Sequence, residues 1–302
     1  MDKLPVILNP SANSEKGKNS AAEIRAMSER IELIETSDIG EVKEIARDIA
    51  RRGGPAVAAA GGDGTINAVI SGLAGSETAL GIFPTGTMNL FARELKLPRK
   101  NLHGCWQVIE AGVIKKVDLF GFSGGIFVQV AGIGLDARII EETTWESKKK
   151  YGKLSYLMTA LSVAGSQAPR LRVIPEGSEP LEGAFVLIGN GALYGPAIKV
   201  FRNASNDDGM LEILVFEKQR RVDIIRYLSA VTMGRVEKAK GVSYVRAPSL
   251  RIESDIEVPV EVDGEFAGHT PVEFFALEYG LNVFVPAGQT GTEGLEVRHK
   301  IL

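Results

Sequence analysis

The sequence predicts a doubly wound α/β domain built on a parallel sheet, followed by a mainly-β, sandwich-like domain. In the first third, short apolar runs alternate with segments whose apolar residues recur at helical spacing, the pattern of strand–helix–strand units. From about Val117 onward, β-rich segments follow one another with Gly and Pro between them, as in packed antiparallel sheets. The 302 residues are enough for two domains. We expect them over residues 1–120 and 121–302, with the last ~15 residues able to pack back on the first domain.

The predicted elements follow from apolar runs and helical periodicity. In the first domain, strands are expected over residues 4–8, 31–35, 56–60 and 80–83, and helices over 18–30, 42–50, 66–73 and 89–95. In the second domain, strands are expected over residues 126–131, 171–174, 184–188, 211–216, 242–247, 250–254, 258–262 and 283–286, with helices over 153–164 and 222–231.

Charge and cysteine content narrow the class of protein. The 35 Lys and Arg residues are balanced by 38 Asp and Glu, a net charge of -3, which argues against a nucleic-acid binder that relies on bulk positive charge. The single cysteine, Cys105, cannot form an internal disulfide, as expected in a reducing cytosol. No signal peptide is apparent, and the longest uncharged stretch is too short and too polar to span a membrane. We therefore expect a cytoplasmic protein that at most visits the inner membrane face.

The loop Gly61-Gly62-Asp63-Gly64-Thr65 separates a strand of Ala and Val from a predicted helix. Open α/β sheets bind ligands at this position. Glycines let backbone N–H groups approach phosphate oxygens, and the following helix N-terminus favours negative charge. Because a carboxylate repels phosphate, Asp63 is expected to meet a metal ion, ordered water or an attacking hydroxyl. The simpler alternative is a tight turn with a helix-capping Asp.

Two further loops that leave predicted strands are also rich in Asn, Pro, Gly and hydroxyl residues. Asn9-Pro10-Ser11-Ala12-Asn13 follows the first strand, and Pro84-Thr85-Gly86-Thr87-Met88-Asn89 follows the strand that ends at Phe83. The carboxyl ends of parallel strands meet at one edge of a sheet, so the three loops are expected to lie together. Each loop alone is also explained by ordinary helix capping.

These loops, together with motifs in the second half, resemble the diacylglycerol kinase and sphingosine kinase superfamily. The third loop continues as Leu90-Phe91-Ala92-Arg93, and the later motifs are Asn190-Gly191, Asp208-Gly209-Met210-Leu211-Glu212 and Val262-Asp263-Gly264-Glu265. Their order covers nearly the whole chain and is most similar to the small bacterial lipid kinases. The resemblance implies an NAD kinase/diacylglycerol kinase-like fold. It also implies a magnesium-dependent enzyme of phospholipid metabolism that transfers phosphate from ATP to a lipid hydroxyl, such as that of diacylglycerol.

The resemblance further implies a set of site residues. Contacts to ATP are implied for Asn9, Pro10, Ser11, Ala12, Asn13, Thr36, Gly62, Asp63, Gly64, Thr65, Ile66, Asn67, Ala68 and Thr87. Glu265 resembles the proposed general base that takes the proton of the lipid hydroxyl. Asp63 then aligns metal and water, although in sphingosine kinase relatives the matching aspartate is itself the base, so both are candidate catalytic residues. A structural magnesium ion is implied at Asp208, with the backbone carbonyls of Ser205 and Met210.

Two departures from the family pattern keep other functions open. The family commonly has Asp after the Asn of the third loop, where this chain has Leu90, so a lipid-binding relative without catalysis stays an alternative. An NAD kinase also carries Gly-Gly-Asp-Gly, but its later Asn-Glu pair is Asn89-Leu90 here, which favours the lipid kinase. The glycine-rich segment after Asn190 is also thinner than in bacterial relatives. The acceptor stays open among diacylglycerol, phosphatidylglycerol, a sphingoid base, ceramide and an isoprenoid-like alcohol.

The one basic cluster consists of Lys148, Lys149, Lys150 and Lys153. It would attract anionic headgroups at roughly 1 kcal/mol per near-surface Lys, or it is simply a solvated face. The apolar stretch over residues 156–163 would then be the lipid side of the acceptor site, or ordinary core. The expected partners are a lipid substrate and, transiently, a membrane surface, with no nucleic acid. A homodimer stays open because an exposed β edge can pair two copies.

Overall fold

The computed structural model describes residues 3–10, 15–135, 137, 168–195 and 198–289. The chain divides into two compact units. The first contains the residues up to Leu119 and those from Glu278 onward, and the second contains Phe120–Leu277.

The first unit is an α/β layer structure around a six-stranded sheet. Its elements are β1 (Leu4–Leu8), α1 (Glu15–Met27), β2 (Ile31–Glu35), α2 (Ile39–Arg51), β3 (Ala56–Gly61), α3 (Asp63–Leu73), β4 (Ala79–Pro84), α4 (Leu90–Glu94), α5 (Leu102–Ala111), β5 (Ile114–Val117) and, from the C-terminal return, β20 (Leu281–Phe284). The strand order is β2-β1-β3-β4-β20-β5. All neighbouring pairs are parallel except β20 with β5.

Helices cover both faces of this sheet. On one face, α1 and α5 share a buried cluster with residues of β1, β3 and β4, including Ile24, Trp106 and Phe83. The remaining strand residues point to the opposite face, where α2 and α3 pack against each other. A Cβ on Gly72 would lie 2.5 Å from the backbone oxygen of Lys43, so α2 and α3 approach this closely only because residue 72 has no side chain.

The second unit is a β-sandwich. Its strands are β6 (Phe120–Phe122), β7 (Gly125–Phe127), β8 (Val130–Ile133), β9 (Leu171–Pro175), β10 (Leu181–Gly183), β11 (Phe185–Gly189), β12 (Leu193–Tyr194), β13 (Ile198–Lys199), β14 (Leu211–Phe216), β15 (Val242–Ala247), β16 (Ser249–Ser254), β17 (Pro259–Val262), β18 (Glu265–His269) and β19 (Val272–Ala276), with helix α6 (Arg221–Thr232) and a short 3-10 helix (Val236–Lys238). One sheet has the order β10-β9-β16-β19-β6-β7 and the other β15-β14-β11-β8-β17-β18, while β12 and β13 form a separate pair. Inward-facing apolar residues of both six-stranded sheets form one buried core.

The predicted fold class is confirmed, and several elements are corrected. The segment predicted as one strand over 126–131 is two strands, β7 and β8, in different sheets. The last predicted strand, 283–286, was grouped with the second domain, but β20 joins the first unit's sheet between β4 and β5. The helix predicted over 18–30 begins earlier, at Glu15, and α5 and β5 were not predicted. The predicted helix over 153–164 lies outside the described residues. In the part of the chain that the structure describes, no helix is long and apolar enough to cross a membrane.

Candidate functional site

The loops after β1, β3 and β4 begin at one edge of the first unit's sheet, and Thr36, which follows β2, lies at the same edge. Backbone hydrogen bonds continue the strand ladder into them: the Asn9 N–H donates to the Ala60 oxygen at 3.0 Å, and the Thr36 N–H donates to the Leu8 oxygen at 3.0 Å. The Gly61 oxygen in turn accepts the N–H of Thr85 at 3.0 Å and that of Gly86 at 3.2 Å. The prediction that these loops lie together is therefore confirmed.

The loop after β3 and the loop after β4 touch backbone to backbone. A Cβ on Gly86 would lie 2.5 Å from the Cα of Gly62, and a Cβ on Gly61 would lie 2.4 Å from the Thr65 side chain. Real Cβ atoms essentially never come this close to another atom. Glycine at these two positions is therefore required by the contact itself.

The N-terminus of α3 is open to an anion. Gly62 is the N-cap residue and has no side chain to bond the first turn, while the Ile66 N–H already donates to the Gly62 oxygen at 3.0 Å. The N–H groups of the first turn lack intrahelical acceptors, and together with the helix dipole they favour a phosphate group. The side chains of Ile66 and Ala68 are buried, so a ligand at this edge meets their backbone rather than their side chains.

Asp63 holds the third loop. Its Oδ2 accepts the Asn89 N–H at 2.8 Å and its Oδ1 accepts the Leu90 N–H at 2.6 Å, so the carboxylate caps the N-terminus of α4. Asn89 itself has a left-handed φ of 49° and turns its amide to the Gly86 oxygen at 2.7 Å. Arg93 closes the loop by donating Nε to the Met88 oxygen at 2.6 Å. The helix-capping alternative for Asp63 is therefore part of the structure, although the cap belongs to α4 rather than to α3.

Charge around this loop is partly balanced. Burial lowers the pKa of Arg93, neighbouring Arg99 lowers it further, and Asp63 opposes both.

The remaining predicted nucleotide contacts differ in exposure. Thr87 is exposed at the tip of the loop, and the Thr36 hydroxyl donates to the Glu41 carboxylate. Asn67 is half-buried within α3. Of the predicted nucleotide contacts, Ser11, Ala12 and Asn13 lie outside the described residues.

In the second unit, Asp263 links the turn between β17 and β18 to the residues between β7 and β8. Its carboxylate accepts the N–H groups of Val128, Gln129 and Val130 at 3.0, 3.0 and 2.9 Å. Asp263 has a left-handed φ of 50°, and its own N–H donates to the Val130 oxygen at 2.8 Å. Val128 and Gln129 are the two residues between β7 and β8, and their N–H groups are taken by this carboxylate rather than by a strand ladder.

Asn190 reinforces the same junction. Its Nδ2 donates to the Val128 oxygen at 2.9 Å, and its N–H donates to the Gln129 oxygen at 2.8 Å. The Gln129 side chain is 3% exposed, and its amide has no hydrogen-bond partner among the described residues. Two of the second-half motifs, those at Asn190 and Asp263, thus meet around residues 128–130, and Gln129 brings a buried polar group to that place.

Glu265 lies two residues after Asp263, whose carboxylate bonds to residues 128–130 form what we call the Asp263 clamp. It is the first residue of β18, is paired with Val262 and is exposed. Within the described chain its carboxylate has neither a hydrogen bond nor an ion pair. An exposed carboxylate without such partners has its lone pairs available to a hydroxyl proton.

The predicted metal residues lie in the turn before β14, beside charged and polar side chains of β14 and β15. Asp208 pairs with Arg246, and its Oδ1 accepts the Met210 N–H at 3.1 Å. Arg246 also binds buried Glu212 through Nε at 2.7 Å, and Tyr244 donates to the same carboxylate. Burial alone would lower the pKa of Arg246, but Glu212 and Asp208 raise it. Burial and Glu212 together raise the pKa of the Tyr244 hydroxyl.

This network is compatible with a hard cation, although the structure already supplies one positive partner. Asp208 and Glu212 share a single guanidinium and Asp207 lies in the same turn, which leaves two net negative charges there. The Ser205 hydroxyl donates to Asp207. The predicted metal ligand at this residue is the backbone carbonyl oxygen of Ser205, not its hydroxyl. Among the described side chains, no three His, Cys, Asp or Glu residues converge as a metal cluster. A cation here would depend on one carboxylate, backbone oxygens and water, a donor set that suits magnesium.

Sequence reasoning missed three contributors to these sites. The motif Val262-Asp263-Gly264-Glu265 predicts a role for Glu265 but none for Asp263, and the sequence around Gln129 and Arg246 predicts no role for either. The one available signal was the Asp-Gly pair at 263–264, which favours a turn with a left-handed residue. The long-range partners of Asp263 and the burial of Gln129 have no local signature.

Comparison with known proteins agrees with this architecture. The family model of the diacylglycerol kinase catalytic domain matches residues 3–122, and that of the YegS C-terminal NAD kinase beta sandwich-like domain matches residues 129–285. The chain is 26% identical to the diacylglycerol kinase of Bacillus subtilis (strain 168), over 95% of this chain and 97% of that protein. It is 28% identical to the diacylglycerol kinase of Staphylococcus aureus (strain MRSA252), over 93% of this chain and 91% of that protein.

Solved structures with a similar fold include a bacterial protein and a yeast kinase. A Bacillus anthracis (strain Sterne) crystal structure, whose activity is itself only inferred to be that of a diacylglycerol kinase, superposes with a TM-score of 0.81 at 26% identity, covering 95% of this chain and 96% of that one. Yeast NADH kinase in complex with NADH has a TM-score of 0.52 at 10% identity, covering 95% of this chain and 84% of that one, a likeness of fold alone. With both family models matched in order along one chain, this protein belongs to the diacylglycerol kinase superfamily, in the branch that joins the catalytic domain to the YegS-type C-terminal sandwich.

Proposed function

We propose that this protein is an ATP-dependent kinase that transfers the terminal phosphate to a lipid hydroxyl, with diacylglycerol as the representative acceptor. The observation that carries the proposal is the open N-terminus of α3, held beside the loops after β1 and β4 at one sheet edge. Phosphoryl transfer depends mainly on positioning and charge stabilisation, and backbone N–H groups at a helix N-terminus supply both. The kinases named among its relatives support the same reading.

Nucleotide contacts are proposed for the residues at this edge. They are Asn9, Pro10, Ser11, Ala12, Asn13, Thr36, Thr87 and the run from Gly62 to Ala68, with Gly64 and Thr65 in the first turn of α3. Asp63 keeps the Asn89–Leu90 turn beside this run through its two N–H bonds. Leu90 contributes its backbone N–H to this contact, so the turn is held although Leu stands where the family commonly has Asp.

Glu265 is proposed as the general base. Its exposed carboxylate has no partner within the described residues, and it follows a turn that Asp263 makes rigid. The base takes the proton of the acceptor hydroxyl as the hydroxyl oxygen attacks the terminal phosphorus, and ADP leaves. An open carboxylate at a fixed position is the group that this step needs.

A magnesium ion at the Asp208 turn also belongs to the proposal. Ser205, Asp208 and Met210 would hold it, and there it would neutralise the excess carboxylate charge around Arg246. Thermal unfolding with and without millimolar magnesium tests this without measuring activity. We expect magnesium to raise the unfolding temperature of the natural chain but not that of Asp208→Asn. Equal curves for the natural chain with and without magnesium would contradict the site.

The test of the function is transfer of radiolabelled phosphate from ATP to a panel of micellar lipids and to NAD. The natural chain should label a lipid, and Glu265→Gln should lose at least about 100-fold in rate. Glu257→Gln is the matched control, because Glu257 is equally exposed in the same unit, before β17, and should retain full rate. Labelled NAD instead of lipid would refute the lipid acceptor, and absence of every product would refute the kinase activity.

A further inference from the structure

Helix α6 exposes an apolar face. Val222, Ile225, Leu228 and Met233 are 62%, 59%, 37% and 60% exposed. Val222, Ile225 and Leu228 are three residues apart and lie along one side of the helix, and Met233 follows directly as its C-cap residue. We name these four residues the α6 apolar face. Single exposed apolar residues are ordinary, but a contiguous group marks a surface that meets a partner.

The opposite side of α6 fixes this orientation. Asp223 is fully buried, and its carboxylate accepts from Arg220 at 2.7 Å and from Arg226 at 2.8 Å. The hydrogen bond from Arg220, opposed by burial and helped by Arg226, lowers the pKa of Asp223. Ile224 and Tyr227 are buried beside it. An ordinary surface helix turns its charges outward, whereas α6 buries a paired carboxylate beside Ile224 and Tyr227 and leaves Val222, Ile225 and Leu228 exposed.

Basic residues flank the α6 apolar face at both ends. Exposed Lys218 and Arg221 lie at its start, and exposed Arg235, Lys238 and Lys240 lie beyond its end. Residues 217–240 contain seven basic and three acidic residues, a net charge of +4 in a chain whose total is -3. This segment is therefore net positive where the exposed aliphatic side chains are.

We propose that the α6 apolar face and its flanking basic residues dock this protein on an anionic lipid surface. A helix with an outward aliphatic face and Lys and Arg around it lies in the headgroup region, with the aliphatic side chains among acyl chains and the cations at phosphates. The charge selects this occupant over a second copy of the chain. A symmetric contact through α6 would bring two clusters of +4 together. The inference goes beyond the proposed kinase activity, since docking needs neither ATP nor an acceptor.

The test is co-sedimentation of the full chain with vesicles of equal parts phosphatidylglycerol and phosphatidylcholine, without ATP. The natural chain should bind these vesicles, bind pure phosphatidylcholine much less, and be released at about 0.5 M salt. Ile225→Ser should lower the partition coefficient by about tenfold, because the aliphatic side chain no longer inserts. Ile256→Ser is the matched control: Ile256 is 55% exposed and lies between β16 and β17 rather than on α6, and its substitution should change nothing.

Further readouts separate docking from folding and from catalysis. Ser and Ile have similar helix propensity, so thermal unfolding should be the same for both variants and the natural chain. Arg221→Gln should weaken binding to the anionic vesicles alone. Equal vesicle binding by Ile225→Ser and Ile256→Ser would overturn the proposal, as would a natural dimer that Ile225→Ser converts to monomer without loss of vesicle binding. Vesicle binding without any lipid phosphorylation would leave the docking surface intact and refute only the proposed function.

Discussion

Asp63 is expected to support the fold as well as the chemistry, and Asp63→Asn tests this. Its two carboxylate oxygens each accept a different backbone N–H, from Asn89 at 2.8 Å and from Leu90 at 2.6 Å. An Asn side chain has one carbonyl oxygen and one NH2 group. It can keep one of the two bonds, but it then presses a donor against the second N–H. The substitution is therefore more than a loss of charge.

The magnitude follows from the bonds that are changed. One charge-assisted hydrogen bond is lost, the other becomes neutral, and one half-buried N–H is left facing a donor. Hydrogen bonds to charged groups contribute about 1.5–3 kcal/mol each, and leaving a buried donor without a partner costs a similar amount. Since Asp63 is half-buried rather than buried, we expect the free energy of unfolding to fall by about 2 kcal/mol.

Asp38→Asn provides the matched control. Asp38 also accepts two backbone N–H groups, from Gly40 at 2.7 Å and Glu41 at 3.2 Å, but both bonds use Oδ1. Asn can therefore keep both, and Asn is as good an N-cap residue as Asp. The change at position 38 should cost less than about 0.5 kcal/mol. Equilibrium urea unfolding followed by far-ultraviolet circular dichroism measures both variants under the same conditions.

Two results would refute this reasoning. Equal unfolding free energies for Asp63→Asn and Asp38→Asn would show that the cap on α4 contributes nothing. Full kinase turnover in a folded Asp63→Asn protein would show that neither the cap nor the charge is needed at the nucleotide site. A drop in stability accompanied by greatly reduced turnover is the expected outcome.

Three further predictions concern other groups. Asp263→Asn should lower the free energy of unfolding by about 2 kcal/mol in urea, because three backbone N–H groups depend on that carboxylate; an unchanged midpoint would contradict the clamp. Burial raises the pKa of Cys105 to about 12, so about one thiol in 10,000 is ionised at pH 8, and iodoacetamide should label this single cysteine only after urea unfolding; rapid labelling of the native chain would contradict its burial. Arg220 and Arg226 hold the pKa of Asp223 below its ordinary 3.8, so the ionised Asp223 contributes stability above that pH and loses it as pH falls through the lowered value. The stability difference between the natural chain and Asp223→Asn should therefore be constant from about pH 7 to 5 and shrink below about pH 4; a difference independent of pH would contradict the pairing.

Strands in the core of each sheet could be predicted from the sequence because their apolar residues are continuous. β1 and β14 have the predicted bounds and are almost fully buried along their length. The strand β5 was missed because it lies at the edge of its sheet, where Lys115 and Lys116 interrupt the apolar pattern. Edge strands tolerate such charges. The edge strands β2 and β15 were predicted because they keep apolar residues along their length, whereas the four residues of β5 leave no apolar run to detect.

Loop positions at the site were predictable, but the contacts that hold them were not. The order strand, Gly-rich loop, helix is local, and it placed Gly61–Thr65 at the correct edge of the sheet. The partners of Asp63 are 26 and 27 residues away, and those of Asp263 are 133 to 135 residues away. No spacing rule connects a carboxylate to backbone N–H groups at such separations, because the pairing is decided by how strands stack in three dimensions.

The two aspartates share one physical role, and this bears on which carboxylate is the base. Asp63 and Asp263 both have their oxygens occupied by backbone N–H groups, so each holds a loop in place and has fewer lone pairs left for a hydroxyl proton. Glu265 differs, since its carboxylate is exposed and has no partner within the described residues. If Glu265 is the base, Glu265→Gln should lose turnover with unchanged stability, whereas Asp63→Asn should lose both together. The reverse pattern, with turnover retained in Glu265→Gln and lost in a fully stable Asp63→Asn, would transfer the proton-accepting role to Asp63.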